Sequence, residues 1–340
     1  VPVSYPLPTN LISTYDIGFF PSDTAIHHED LTDVLTILDS FQTPFFSGCP
    51  KIRARDVIHS WPVDTLAAPS TAGSPDGVDF SGDVMTTPVR LFNGTQIFRR
   101  DVIVSDRERA ANPAGIRDMY DHQIMKEFKV LARNYEYTSF KGTAVVSGAA
   151  SAVVSGAEST LQANAPYMAG FRGFPIQTIG TTGSQVVLTA DVLRLGQNMF
   201  NSGAEPDSIW FTPYDKGIFY QQVSGANVIN LRNVAADDRR LVANVDVFES
   251  PLGQLFAVIT DRFIPGGVTA GTTNTYGWFM GDRAMAKTAF YRPPQHKEMG
   301  KQGDNTRGIL LMEATLELTH PSAWGICTGI SAANVNFLVQ

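Results

Sequence analysis

The chain has 6 His and 2 Cys in 340 residues, so the inventory of side chains suited to metal or nucleophilic chemistry is short. His27-His28, followed by Glu29 and Asp30, is the one run whose types match a set of metal ligands. Neighbouring side chains on a helix diverge by roughly 100°, so two adjacent imidazoles rarely reach one ion. The run reads as a helix start or a solvated patch. His59 stands in a strand-like stretch beside Trp61, with no serine or cysteine nucleophile and supporting acid arguable around it, and reads as a packed or interface histidine. His122 follows Asp118 by four residues, the spacing of a surface pair on one helix face. Asp237-Asp238 before Arg239-Arg240 reads as a solvated turn of mixed charge. Asn93-Gly94-Thr95 matches a glycosylation acceptor, which carries little meaning without a signal peptide. The glycines form no GxxxxGK[ST], no strand-borne GxGxxG and no GxSxG, so neither a phosphate cradle nor a nucleophile elbow is expected. We expect no enzyme, no cofactor and no metal.

Composition points the same way. Charged residues make up 17% of the chain and hydrophobic ones 43%, which excludes wholesale disorder. The 26 basic residues are outnumbered by 33 acidic ones, the wrong balance for binding nucleic acid by phosphate neutralisation. Gly and Pro number 29 and 20, the signature of a loop-rich fold. No window approaches the roughly 18 apolar residues of a membrane helix. Val1–Phe20 has neither Lys nor Arg and does not read as a secretory signal. Cys49 and Cys327 read as two separate buried thiols, and the expectation is a soluble protein made in a reducing cytoplasm.

The elements that position these residues can be read from periodicity. Leu31, Val34, Leu35 and Leu38 give one apolar stripe on a short helix, expected to stop near Thr43-Pro44, within a proline-rich N-terminal stretch. Lys51–Asp64, through Val57, Ile58, Trp61 and Val63, and Val89–Val104 read as the two strands of a long excursion, with the small and polar residues 66–88 as its tip; Asn93-Gly94 is taken as a kink or bulge rather than a hairpin turn. Asn112 followed by Pro113 predicts a helix start, and Ile116, Tyr120, Ile124, Phe128, Leu131 and Tyr135 continue its apolar face to a left-handed cap at Gly142. Beyond a low-complexity stretch at 145–165, an α/β unit is expected. It comprises a strand at 185–188, a helix from Thr189 to before Gly203, and strands at 208–212, 241–248 and 255–260. Leu310, Met312, Ala314, Leu316 and Leu318 alternate with Glu313, Thr315 and Glu317, the pattern of a long half-buried strand. An isolated two-stranded ribbon is marginal in water, so the arm helix and the long excursion imply a homo-oligomer.

The runs Glu29–Leu35, Gln42–Gly48 and His59–Ala67 resemble the N-terminal half of the major capsid proteins of tailed bacteriophages. The resemblance continues through Asn93–Phe98, Lys126-Glu127-Phe128, Gly203–Asp207 before a strand and Pro213, and Val245–Glu249 with Gly253 and Val258. It implies the α+β HK97 capsid fold, with an N-terminal arm at 1–50 and an extended β-hairpin loop (E-loop) at 51–104. A peripheral domain would span 105–166 and 279–325, its spine helix at about 112–140, beside an α/β axial domain at 167–278 and a C-terminal segment at 326–340. The function implied is a virion shell of pentamers and hexamers, assembled in the host bacterial cytoplasm. Such a shell encloses double-stranded DNA without specific binding, with portal, scaffolding and decoration proteins as further partners and no membrane. Leu31, Leu35, Trp61, Ile97 and Phe98 are the expected interface or arm-core anchors and the candidates for inter-subunit contact, by their size and their placement on projecting elements. Relatives that cross-link their shells need a lysine on the extended loop, and none occurs between Lys51 and Lys126. The alternatives are a nanocompartment shell of the same fold, a virion decoration or attachment protein, and a hydrolase.

Overall fold

The computed structural model describes residues 42–71, 85–111, 116–142, 167–185, 189–225, 247–250, 253–264, 273–274 and 277–331, with single positions at 73, 76–77 and 79. The arm helix with Leu31 and Leu35, His27-His28, the 145–165 stretch and Asp237–Arg240 lie outside these residues.

Two sheets organise the chain. The first has the order β1 (Lys51–Arg53), β11 (Ala286–Met299), β12 (Asn305–Leu318), β4 (Gln96–Ser105). Only Thr288–Phe290 of β11 pairs with β1, so Pro293 and Pro294 fall where β11 has a free edge and its register to β12 shifts. A proline is tolerated at such a place because no ladder bond is lost there. The expected alternation on β12 holds from Asn305 to Met312, after which every residue to Leu318 is buried. The far half of this strand is therefore covered on both faces.

Helix α3 (Met119–Lys141) packs on this sheet through Tyr120, Leu131, Tyr135 and Phe140, as its periodicity requires. It begins later than the Asn112-Pro113 signal predicts. Its cap is Asp118, which accepts the Tyr120 amide at 2.8 Å and is held by Arg109 at 2.8 Å from the short helix α2 (Asp106–Ala110). Asp118 is thus committed to Arg109 rather than to His122. Nor does Gly142 turn left-handed: its φ is −55°. It is glycine because a Cβ there would lie 2.7 Å from the backbone of Gly170, whose amide donates to the Gly142 carbonyl at 3.1 Å.

The second sheet has the order β5 (Gln177–Gln185), β13 (Trp324–Ser331), β10 (Phe279–Gly281), β6 (Ser208–Phe211), β8 (Leu255–Thr260), β7 (Val247–Glu249), with β9 (Thr273–Asn274) beside β13. Helices α4 (Thr189–Asn201) and α5 (Pro213–Gly225) accompany it, and Gly203 ends α4 at φ +83°. The first described strand runs through Gln177–Gly180, where it pairs in parallel with β13 from Gly325 to Thr328 without any apolar alternation of its own; of the strand expected at 185–188, residues 186–188 lie outside the described residues. The expected strand at 241–248 is described only from Val247. Strands 279–281 and 324–331 join β6 and β8 in one sheet, so the boundary expected at 278/279 runs through that sheet.

The sheets meet around Phe45. Pro44 opens a short helix, α1 (Pro44–Gly48), where the sequence predicted a helix end, and Phe45 makes edge contacts with Phe140, Phe171, Trp210 and Trp324. The amides of Phe45 and Phe46 donate to Glu136 Oε1 and Oε2 of α3 at 3.1 and 3.2 Å. Glu136 is fully buried and hydrogen-bonded to Asp261, whose Oδ1 accepts the Phe263 amide at 2.8 Å. Two carboxyl groups share a hydrogen bond only if one keeps its proton. Burial first, then the neighbouring Asp261, pushes Glu136 up to about 10 from its ordinary 4.5. A group raised on folding stabilises fully below its unfolded value and loses that contribution as pH climbs towards the folded one. Stability should therefore fall from pH 7 to 9.5 by on the order of 1–3 kcal/mol. In urea titrations the wild-type midpoint should drop over that range more steeply than that of Glu136→Gln, which keeps only the smaller fall due to the buried thiols of Cys49 and Cys327; parallel slopes would remove the shared proton. Cys49 and Cys327 are free and buried, and desolvation pushes each thiol up to about 12.

Candidate assembly interface

Between β1 and β4 the chain leaves the first sheet as a two-stranded ribbon, β2 (Ile58–Val63) against β3 (Val89–Gly94), in the register Ile58–Gly94 to Val63–Val89. The single run expected from Val89 to Val104 is two strands in two sheets. Thr95 is the break, and Asn93-Gly94 is indeed no hairpin turn.

The base of the ribbon lies across the buried half of β12, held by side chains from both of its strands. Asn93 donates through Nδ2 to the carbonyls of Leu316 (2.8 Å) and Ala169 (3.0 Å), and its Oδ1 accepts the Ala169 amide at 2.9 Å. Its amide is thus fully used and 2% exposed, which leaves no glycosylation acceptor. Trp61 donates its indole N–H to the Leu318 carbonyl at 2.9 Å, and its ring lies between His59 and Phe174. His59 Nε2 meets Glu317 Oε2 at 2.5 Å, and Lys287 approaches the other oxygen at 3.5 Å. Burial pushes the Glu317 carboxyl up, but His59 and Lys287 outweigh it and hold the group below the usual carboxylate range. Thr95 donates to Glu313 Oε1 at 2.8 Å, and Arg292 holds Oε2 at 2.6 Å. These partners explain the buried acidic face of β12: Glu313 and Glu317 point at the ribbon, not at water.

Beyond the ladder, the two arms stay together through Thr86 Oγ1, which donates to the Thr65 carbonyl at 2.8 Å. There Leu66 is 98% and Met85 87% exposed. Two large apolar side chains standing almost wholly in water at the end of a firmly based ribbon form a surface fit to be covered by another molecule.

The expected anchors separate accordingly. Trp61, at the base of the ribbon, and Phe98, against Tyr135 of α3, are buried in their own subunit. Ile97 is on the exposed face of β4. Leu31 and Leu35 lie outside the described residues. Sequence reasoning missed Asn93, Thr95, Glu313 and Glu317. The one available signal was two glutamates on a strand that otherwise reads as core. No group of three or more His, Cys, Asp or Glu side chains suited to a metal occurs among the described residues.

The fold has known relatives. Structural similarity extends to the capsid of a native GTA particle, with TM-score 0.59, 12% identity and coverage of 92% of this chain and 97% of that one. The holo-SrpI encapsulin complex from Synechococcus elongatus PCC 7942 aligns with TM-score 0.54 at 10% identity, over 90% and 95%. These likenesses establish the HK97-like fold. In sequence, the chain is 23% identical over 336 residues to the major capsid protein of Escherichia phage Phieco32, covering 86% of this chain and 91% of the relative. The family model described as SU10 major capsid protein matches residues 10–331, nearly the whole molecule, and the chain accordingly belongs to the SU10 major capsid protein family.

Proposed function

We propose that this chain is the repeating, non-enzymatic unit of an icosahedral phage head, clustering as pentamers and hexamers around double-stranded DNA. The observation that carries this reading is the ribbon: its base is locked to β12 by Asn93, Trp61, His59 and Thr95, while its end presents Leu66 and Met85 to the outside. A firm base makes the ribbon a lever that reaches a neighbour without the entropy of ordering a loose loop. Many such contacts per subunit act at high effective concentration, so a closed lattice outlasts any single pair. In this plan residues 1–50 form the arm, 51–104 the extended loop with its projecting part between β2 and β3, 167–278 most of the axial domain, and α3 the spine. Assembly takes place in the host cytoplasm, with portal, scaffolding and decoration proteins joining the same lattice.

Recombinant chain separated by size exclusion and imaged by electron microscopy should give large closed particles with five- and six-fold clusters; small soluble species under all assembly conditions would overturn the reading. The encapsulin likeness favours one alternative, a nanocompartment. Particles isolated from the native source that contain protein cargo and no DNA would select it.

A further inference from the structure

Positive charge gathers along β1, the edge strand of the first sheet, in a chain whose formal net charge is −7. Lys51, Arg53 and Arg55 are exposed and alternate with the half-buried Ile52 and the buried Ala54. Residues opposite each other in a ladder point to the same face. Lys51 pairs with Thr288, whose hydroxyl accepts from the Tyr135 hydroxyl of α3 at 3.1 Å. Arg53 pairs with Phe290, whose ring meets that of Phe46 beside the same tyrosine. The basic row therefore lies on the side of the sheet that carries α3. Arg53 and Arg55, with Ala54, Tyr291 and Arg292, line an open recess of about 660 Å³. Arg292 is neutralised by Glu313, and Asp56 turns to the Val57 amide at 2.7 Å, so Arg53 and Arg55 have no carboxylate partner among the described residues. Helix α3 extends the charge. From Lys126 to Lys141 it holds four basic residues against two glutamates, of which Glu127 pairs with Arg100 at 2.6 Å and Glu136 is buried.

Resting on the shell reading above, we propose that this face of the first sheet forms part of the shell's inner wall and meets packaged duplex DNA, with Lys51, Arg53 and Arg55 set against backbone phosphates. Alternate residues of a strand stand about 6.6 Å apart, close to two phosphate steps of about 3.4 Å along one DNA strand. Contacts to phosphate carry no base sequence, so any stretch of genome satisfies them in any register. That suits a subunit repeated over a lattice which DNA crosses in many directions. A second copy of the chain is the poorer fit. The core of a protein interface is poor in charge, whereas this recess is lined by three arginines, with Tyr291 its one aromatic ring. The acidic balance of the whole chain and the basic row are compatible: the field turns this face towards a polyanion, and a few contacts per subunit hold DNA loosely enough to leave.

The probe is a short fluorescein-labelled DNA duplex of mixed sequence, titrated with the unassembled full-length chain at several low salt concentrations. Each phosphate contact contributes about 0.9 to the slope of log affinity against log salt, so Arg53→Gln with Arg55→Gln should make that slope shallower by about 1.8. Arg53→Lys with Arg55→Lys keeps the charge and should restore it. Lys51 stays in place because its ammonium lies over the Phe46 ring at 5.0 Å. The melting temperature and the particle yield of both variants should match wild type. In DNA-filled particles, ultraviolet cross-linking should join DNA to the peptide that carries Tyr291. No binding by wild type, an unchanged slope in the glutamine variant, or adducts confined to other peptides would overturn the proposal. A lowered particle yield with unchanged DNA affinity would overturn it too, by assigning the arginines to a second copy. Failure of the wild-type chain to form any particle would instead strike at the shell reading, a result on which the titration does not depend.

Discussion

Asn93→Asp should destabilise the subunit by on the order of 5 kcal/mol, enough to unfold many domains, whose total stability is about 5–15 kcal/mol. The substitution preserves shape almost atom for atom and removes only the NH2 group. Both carbonyls that Asn93 now satisfies, Leu316 and Ala169, would lose their donor in a site 2% exposed. Each unmet buried acceptor costs about 1–3 kcal/mol. An aspartate there would have to remain protonated or place a negative charge against two carbonyl oxygens, with Glu313 and Glu317 on the same strand close by. Urea denaturation of the unassembled subunit gives the measurement, and limited proteolysis between residues 64 and 88 should accelerate in parallel as the ribbon base lets go. A midpoint within experimental scatter of wild type would mean that the Asn93 bonds do not hold the ribbon.

The residues that hold this ribbon were the least legible in the sequence. Asn93-Gly94 carries the local signal of a turn, and only the long-range partners on β12 and at Ala169 show what the asparagine is for. The alternation on β12 is plain up to Met312 and vanishes afterwards, because burial of Glu313 and Glu317 depends on a ribbon more than two hundred residues away. By contrast, the apolar face of α3 follows from local spacing alone, and its body was found although its start was not. Asn112-Pro113 and Asp118 are both sound caps in isolation, and Arg109 belongs to the cap that forms. Strand β5 has no periodic signal because its position is set by its parallel neighbour. The α4 helix, its terminal Gly203 and strand β8 needed no distant partner and lie where the pattern put them. Local physics therefore exposes the scaffold, whereas the anchoring of the interface is written in pairs of residues far apart in the chain.

That anchoring permits a clean separation of folding from assembly. Continuing the Val63–Val89 register places Thr65 opposite Thr87, so residues 66–86 can be replaced by an Asn-Gly turn that closes the ribbon as a two-residue hairpin. The replacement removes Leu66, Met85, Asp76, Asp79 and Asp83, and leaves Trp61, His59, Asn93 and Thr95 with all their partners. The described residues among those removed are all exposed, so the change in subunit stability should be within about 1 kcal/mol, the range of substitutions away from the core. The loss to the lattice should be total, because each subunit forfeits its reach to a neighbour. The decisive measurement is size-exclusion chromatography with electron microscopy of the shortened chain beside wild type, together with a melting curve for each. The account predicts a folded subunit with a wild-type melting temperature that remains a small species where wild type forms closed particles. Closed particles from the shortened chain would contradict it.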